Sequence, residues 1–237
     1  MKKYVMFGHN HLLGDLVEII HANGDVLTKI VQNVPEPVHP TRPPLQERLE
    51  RLQSRGRNPL GVNQFYPIDV QPLADFLPQG DEHYVIGFTG FKMSVLCQRL
   101  HSKFNIRFDP LIHPTAIVSP TAQIGAGVII NAGTIVASGT SIEAHSAINK
   151  GVIIGHDTVL GRYAIVQPGV RLAGHIHAAT GSVIGIGATV IEDLTIGAYS
   201  MVAAGAVVIR DVPAHALVAG TPAVVKKEIN LAVKAPT

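Results

Sequence analysis

The sequence predicts a small α/β domain at the N-terminus, followed by a left-handed parallel β-helix built from hexapeptide repeats. One observation is a strand–helix–strand pattern near the start, and another is an aliphatic residue at every sixth position from Val118 to Val208. Charged residues make up only 15% of the chain, against about 25% in an average domain. With 23 Gly and 16 Pro in 237 residues, this composition favours β turns over surface helices. We place the two domains at residues 1–108 and 109–237.

The N-terminal domain begins with a βαβ pattern. Residues 3–8 have the composition of a buried strand that ends in glycine, and residues 11–20 carry apolar side chains at helical spacing. Residues 26–31 predict the second strand. Further along, residues 83–88 predict a third strand and residues 91–103 another helix.

Residues 34–66 interrupt this pattern. Five prolines between positions 35 and 44 exclude regular structure there. Leucines at positions 45, 49 and 52 then predict a short charged helix. We interpret the whole stretch as a Pro-rich insertion at the surface of the α/β domain.

The repeat in the second half has an unbroken frame. Of the sixteen positions reached by steps of six from Val118, fifteen hold Val, Ile or Leu, and Ala178 is the exception. A period of six fits neither an α-helix nor an alternating strand. It fits short strands joined by tight turns, each strand sending one aliphatic side chain inward. A solenoid of this kind does not by itself define an activity.

Charge and cysteine content narrow the class of protein. The net charge is +2, from 19 basic and 17 acidic residues, and no basic run suggests a nucleic-acid partner. Cys97 is the single cysteine, so no intrachain disulfide can form, which fits a reducing compartment. Apolar stretches are too short for a signal peptide or a membrane span. We therefore expect a cytoplasmic protein without membrane insertion.

Three segments carry a family resemblance. They are LIHPTAIVSPTAQIG at 111–125, NKGVIIGHDTVLGRYAIVQPGVRLAG at 149–174 and GTPAVVKK at 220–227. In them the sequence resembles bacterial hexapeptide acyltransferases of the sialic acid O-acyltransferase type, which include N-acetyltransferases of nucleotide-linked amino sugars. The resemblance covers nearly the whole chain. It implies a Rossmann-like N-terminal domain, triangular coils of three hexapeptides each, a homotrimer, and acetyl-CoA in the groove between neighbouring β-helices.

A histidine on a turn is the candidate general base. Acyl transfer from a thioester needs a base that takes a proton from the acceptor, and His suits that role near neutral pH. His156 follows an inward Ile by two residues, so its side chain should point outward. The resemblance implies that His156 is the base, that Asp157 raises its basicity, and that Asn149 supports it or contacts substrate. Spacing alone would equally allow a solvated turn histidine.

Residues separated by three hexapeptides should stack if that is the length of one coil. Asp157, His175 and Asp193 have this spacing, and neighbouring rungs lie about 4.8 Å apart. A carboxylate–imidazole–carboxylate ladder could then hold His175. Charge compensation along one turn column is the alternative.

The resemblance also implies acetyl-CoA contacts on later coils, largely through the main chain. They fall at Gly174, Ile186 and Ala204, with Gly205 adjacent. Ile165 stands where relatives often carry a second His near acetyl-CoA. Backbone N–H groups could stabilise the oxyanion in place of that side chain.

The nucleotide-sugar is expected in the N-terminal domain. A Gly-rich turn at a helix N-terminus offers free N–H groups to phosphate. The turn after the first strand consists of Gly8, His9, Asn10 and His11. Gln32 and Asn33 replace the acidic pair that the family carries after its second strand. Residues 87–90 would form another loop facing the sugar.

These features predict an acetyl-CoA-dependent transferase acting on a nucleotide-linked sugar for surface polysaccharide or glycoconjugate synthesis. The acceptor would attack the thioester directly, without an acyl-enzyme and without a metal. A non-catalytic scaffold or sugar-binding protein is one alternative. A γ-type carbonic anhydrase is another, and it needs three His ligands for one metal. Its candidate ligands are His145, His156, His175 and His177. The identity of the sugar, the nucleotide and the acylated atom stay open.

Overall fold

The chain forms two compact units in a computed structural model. The model describes residues 1–10, 12–36, 40, 41, 43–55, 67–91 and 93–229. One unit comprises Met1–Phe88 and Lys92–Pro114, and the other comprises Thr89–Phe91 and Thr115–Thr237.

The N-terminal unit is a Rossmann-like α/β fold, as predicted. Its elements are β1 Lys3–Phe7, α1 Leu13–Ala22, β2 Val26–Gln32, α2 Leu45–Arg55, β3 Asp69–Pro72, β4 Glu82–Ile86 and α3 Met93–Phe104. The strands form a parallel sheet in the order β3-β2-β1-β4. The sequence did not predict β3, because its four residues include one aliphatic side chain and end in proline. In the described part of the chain, each helix is too short or too polar to cross a lipid bilayer.

Apolar side chains of β1 and α1 form the centre of this unit. Strand β1 buries Val5, Met6 and Phe7 completely, as expected for a strand covered on both faces of a parallel sheet. Helix α1 buries its apolar residues at helical spacing, including Leu13 and Leu16. The parallel sheet brings the carboxyl ends of β1, β2 and β4 to one edge, which is where α/β sheets bind ligands.

The second half is a β-helix of very short strands. They are β5 Leu111–Ile112, β6 Ile117–Val118, β7 Gln123–Ile124, β8 Ile129–Ile130, β9 Ile135–Val136, β10 Ser141–Ile142, β11 Ala147–Ile148, β12 Ile153–Ile154, β13 Val159–Leu160, β14 Ile165–Val166, β15 Arg171–Leu172, β16 His177–Ala178, β17 Val183–Ile184, β18 Thr189–Val190, β19 Thr195–Ile196, β20 Met201–Val202, β21 Val207–Val208, β22 Ala216–Gly220 and β23 Ala223–Glu228. Three parallel sheets result, which contain β7-β10-β13-β16-β19, β6-β9-β12-β15-β18-β21 and β8-β11-β14-β17-β20-β22. Strand β23 pairs antiparallel with β22 and closes the last sheet.

The register confirms that each coil consists of three hexapeptides. Ile117 pairs with Ile135, and Ile153 pairs with Arg171. The second residue of each strand points inward, and from Val136 to Val208 every such side chain is at most 2% exposed. The left-handed β-helix is therefore as predicted.

Small hydroxyl residues tie consecutive coils together. Thr134, Thr140 and Ser146 are fully buried, two residues before an inward aliphatic side chain. Each donates its hydroxyl hydrogen to a backbone carbonyl 15 residues further along, at 2.9, 3.1 and 2.9 Å. These bonds satisfy buried polar groups and explain why small polar residues recur at this position.

One corner of the β-helix carries a partly buried imidazole. His145 has a φ of 63° and stacks on Tyr163, with ring centroids 5.5 Å apart. Burial, and to a lesser degree Arg162, lowers the pKa of His145 below its usual 6.5. Burial also lowers the pKa of His21. The unfolded chain therefore binds more protons than the folded chain once the pH falls below about 6.5.

We expect the free energy of unfolding to decrease as the pH is lowered from about 7.5 to about 5.5. Replacing His145 by Asn should make this decrease smaller, because Asn accepts the left-handed backbone but does not titrate. Urea unfolding of both proteins at the two pH values measures the effect. An equal decrease in both proteins would contradict the assignment to His145.

Candidate active site

The predicted base and its carboxylate form a pair on an outward turn. His156 and Asp157 follow β12, and Asp157 has a left-handed φ of 54°. The Nδ1 atom of His156 lies 2.9 Å from Oδ2 of Asp157, and both side chains are more than half exposed. A carboxylate only accepts hydrogen bonds, so Nδ1 carries the hydrogen. Nε2 of the neutral ring then keeps the lone pair that can accept a proton.

Two glycines of neighbouring coils make room for this pair. Gly174 lies one coil after His156, and a Cβ added to Gly174 would be 2.7 Å from Nε2 of the His156 ring. Gly139 lies one coil before Asp157, and a Cβ there would overlap Asp157 Oδ1. The ring thus lies over Gly174 and the carboxylate over Gly139. The sequence analysis missed Gly139, although the coil length points to it.

His175 completes a cluster around Asp157. Its Nε2 atom lies 4.0 Å from Asp157 Oδ2. Its ring stands edge-on to that of His156, at 5.0 Å between centroids and an angle of 89°. The stacking of Asp157 on His175 is therefore as predicted. Asp193 follows one coil further, but within the described residues no ion pair joins it to His175.

Asn149 lies at a different corner from His156. Its Nδ2 group donates to Gln167 Oε1 at 3.4 Å, one coil further along. Its backbone carbonyl accepts the Thr134 hydroxyl. The structure therefore places Asn149 in a polar column, and its role in supporting the base or contacting substrate stays a prediction.

The predicted acetyl-CoA contacts fall into two groups. Gly174 lies beside the His156 ring. Ile186, Ala204 and Gly205 belong to the corner that precedes β18 and β21, and there Gly205 N–H donates to the Ile186 carbonyl at 2.8 Å. Ile165 is half-buried, as the outward residue of β14. One subunit alone therefore does not bring all of these residues together.

Loops at the carboxyl edge of the N-terminal sheet meet around Gly8. Gly8 has a φ of 67°, and a Cβ there would be 2.7 Å from the Phe88 ring and 2.8 Å from Asn33 Oδ1. A Cβ on Gly87 would overlap the Gly8 carbonyl oxygen. The turns after β1, β2 and β4 thus converge, as the predicted substrate residues require. Gln32 lies at the end of β2, and its backbone carbonyl accepts a hydrogen bond from the Leu73 N–H.

An arginine of the insertion reaches the glycine turn. Arg48 of α2 donates to the Asn10 carbonyl, while Asn10 Oδ1 accepts the Leu12 N–H at 2.8 Å. His9 is half-buried in the same turn, and His11 lies outside the described residues. The sequence analysis did not assign Arg48 to this site, because only the fold brings α2 to the turn.

The histidines proposed for a carbonic anhydrase site do not group together. His145 stacks on Tyr163 at another corner, and His177 is the exposed outward residue of β16. In the part of the chain that the structure describes, His156 and His175 cluster with Asp157 instead. A site with three His ligands is therefore not assembled within one subunit.

The single cysteine is a poor nucleophile. Cys97 lies on α3 in the N-terminal unit, and burial raises the pKa of its thiol to about 12. The thiolate is the reactive form. A covalent acyl-cysteine is therefore disfavoured at neutral pH.

A Rossmann-like unit followed by a left-handed β-helix defines the class of the hexapeptide-repeat acyltransferases, and comparison with solved structures confirms that resemblance. PerB from Caulobacter crescentus, in complex with CoA and GDP-perosamine, is 27% identical with a TM-score of 0.75. The similarity covers 96% of this chain and 98% of PerB.

Curated relatives match only part of the β-helix. Serine acetyltransferase 2 of Arabidopsis thaliana is 36% identical over 81 residues, which are 31% of this chain and 25% of that protein. The 2,3,4,5-tetrahydropyridine-2,6-dicarboxylate N-acetyltransferase of Enterococcus faecalis is 54% identical over 55 residues, 23% of this chain and 24% of that protein. The chain thus spans about a quarter of the length of these relatives. No protein-family model matches the sequence.

Proposed function

We propose that this protein is an acetyl-CoA-dependent acetyltransferase that acts on a nucleotide-linked amino sugar. The observation that carries the proposal is the exposed His156, oriented by Asp157 and free of the neighbouring coil because Gly174 has no side chain. The similarity to PerB over both units supports it, since PerB was solved with CoA and a nucleotide-linked sugar. A protein of the same organism in the same kind of complex is a perosamine N-acetyltransferase, which favours nitrogen as the acylated atom.

In the proposed reaction, the amine of the acceptor attacks the carbonyl carbon of the thioester. Nε2 of His156 takes the proton from the attacking nitrogen, and Asp157 stabilises the imidazolium that forms. A C–N bond forms and the C–S bond breaks. CoA leaves as the thiolate, which takes the proton from His156, so the base returns to its neutral form.

The nucleotide part of the acceptor would bind at the carboxyl edge of the N-terminal sheet. Gly8, Asn33 and Phe88 meet there, and the guanidinium of Arg48 lies beside the same turn. Backbone N–H groups of such a turn and a guanidinium suit a diphosphate. We assign the insertion a role in substrate binding through Arg48.

We further propose a homotrimer in the cytoplasm, with acetyl-CoA between neighbouring β-helices. Three isoleucines stack on the outer face of the sheet that contains β6, β9 and β12, and they are 66%, 39% and 42% exposed. They are Ile117, Ile135 and Ile153. Ile186, at the corner with the predicted acetyl-CoA contacts, is 58% exposed. An apolar stripe of this kind is typical of an interface.

Replacing Ile135 by Lys should lower the fraction of trimer, because a charge would be buried among isoleucines. Sedimentation velocity of the variant and the wild-type protein measures the fraction. Thr195→Lys is the matched control on the exposed outer face of another sheet, and it should stay trimeric. An undiminished trimer in Ile135→Lys would place the interface elsewhere.

The activity is tested by CoA release with acetyl-CoA and a panel of nucleotide-linked amino sugars that includes GDP-perosamine. Free amino sugars and nucleotide-linked sugars without an amine serve as controls. We expect CoA release only with acceptors that carry both the nucleotide and the amine, and a product heavier by one acetyl group. Binding of the acceptor without turnover would favour the scaffold or sugar-binding alternative.

A further inference from the structure

The side chains around Asp157 form a cluster that the acetyl transfer does not fully use. One nitrogen of His156, one oxygen of Asp157 and one nitrogen of His175 all lie within 4.8 Å of one another. Two of the separations are 2.9 Å, between His156 Nδ1 and Asp157 Oδ2, and 4.0 Å, between His175 Nε2 and Asp157 Oδ2. The proposed mechanism uses the first two residues and leaves His175 without a role.

This set of donors suits a zinc-like cation. Imidazole nitrogen and carboxylate oxygen bind Zn²⁺ at about 2.0–2.2 Å, which places two ligands of a tetrahedral ion about 3.4 Å apart. The observed separations of 2.9 and 4.0 Å lie on either side of that value. Because all three side chains are more than half exposed, small rotations about their side-chain bonds can bring them to ligand distance. A fourth position stays open for water.

The backbone holds the ligands in place. Asp157 and His175 occupy the same turn position on successive coils, with φ values of 54° and 56°. The His175 N–H donates to the His156 carbonyl at 2.9 Å, which links the two turns directly. Gly174 leaves the space in which the His156 ring can turn towards either neighbour. The three ligands therefore come from two rigid, hydrogen-bonded turns.

We propose that His156, Asp157 and His175 bind one divalent cation of the zinc type, and that the bound cation inhibits the enzyme. A neutral imidazole has one lone pair on its ring nitrogens, and the metal and the proton compete for it. With the cation bound, His156 has no lone pair with which to take the proton of the acceptor. The inhibition rests on the proposed function, whereas the binding does not.

Binding is measured by titrating the chelator-treated full-length protein with Zn²⁺ in a calorimeter, and with Co²⁺ for its visible absorption. We expect one ion per subunit and absorption typical of tetrahedral Co²⁺. His175→Asn should weaken Zn²⁺ binding at least tenfold, since Asn tolerates the left-handed backbone at that position. Asp193→Asn is the matched control, because Asp193 has the same turn position and a φ of 60°. It should bind Zn²⁺ as the wild-type protein does.

Equal Zn²⁺ affinity of His175→Asn and the wild-type protein would overturn the site. Inhibition is then measured as the rate with Zn²⁺ divided by the rate of the same variant without it. We expect EDTA to restore the wild-type rate and His175→Asn to be inhibited at least tenfold less. Binding without inhibition in an active enzyme would overturn the second half of the proposal. Binding in a protein that turns over no acceptor would leave the site intact and contradict the proposed function instead.

Discussion

Replacing His156 by Ala is expected to lower kcat of acetyl transfer by a factor of about 10² to 10⁴, the usual contribution of a general base. The side chain is 57% exposed and contacts mainly Asp157 and the edge of the His175 ring. Its loss should therefore leave the fold and the free energy of unfolding nearly unchanged. Steady-state CoA release, together with urea unfolding of the same preparation, separates the loss of a base from a loss of structure.

A second variant tests the carboxylate of the same pair. Asp157→Asn is the better substitution, since Asn accepts a φ of 54° whereas Ala would add backbone strain. Its amide cannot stabilise an imidazolium as a carboxylate does, so we expect kcat to fall about tenfold, equivalent to ~1.4 kcal/mol. Wild-type rates in His156→Ala would refute the mechanism. A larger loss in Asp157→Asn than in His156→Ala would show that the base is assigned to the wrong residue.

Gly174→Ala is expected to lower kcat at least tenfold, equivalent to ~1.4 kcal/mol, without unfolding the protein. The φ of Gly174 lies outside the left-handed region, so the backbone accepts Ala. The new Cβ would lie 2.7 Å from two atoms of the His156 ring. Because that ring is exposed, it can rotate away at little cost in stability. It then no longer lies where Asp157 orients it, and the base is misplaced although every catalytic group is present.

The control for Gly174→Ala is the same change where nothing obstructs a methyl group. Gly14 lies in α1 with no atom within 4 Å of an added Cβ. Gly14→Ala should keep full activity and raise the free energy of unfolding by about 0.5–1 kcal/mol, the usual gain of Ala over Gly in a helix. If Gly174→Ala keeps the wild-type rate, then the position of the His156 ring over Gly174 does not matter for catalysis.

The β-helix was the most predictable part of the chain. Each inward residue repeats at a constant interval, so the sequence alone specifies strands, turns and direction of side chains from Val118 to Val208. The same regularity predicted that His156 and Asp157 face outward and that Asp157 and His175 stack. The βαβ start was equally clear, because hydrophobic period and glycine positions are local signals.

Features that depend on distant residues were not predictable in the same way. The contact of Arg48 with Asn10 joins residues 38 apart through a helix whose neighbours are rich in proline. Strand β3 has too few aliphatic residues to differ from a loop until it pairs with β2. Gly139 looks like any turn glycine until the carboxylate of Asp157 is seen to lie over it. In each case the information lies in packing rather than in local pattern.

The constant length of its coils makes the β-helix a molecular ruler. Every residue advances along the axis by the same step, and a full turn of the chain advances it by about 4.8 Å. Removing one complete coil between β16 and β19, where the strands pair in register with their neighbours, would keep the facing of every later side chain. It would move the Ala204 corner one step closer to His156. The length of acyl donor that the protein accommodates is therefore counted in whole coils, and it can be changed in the same units.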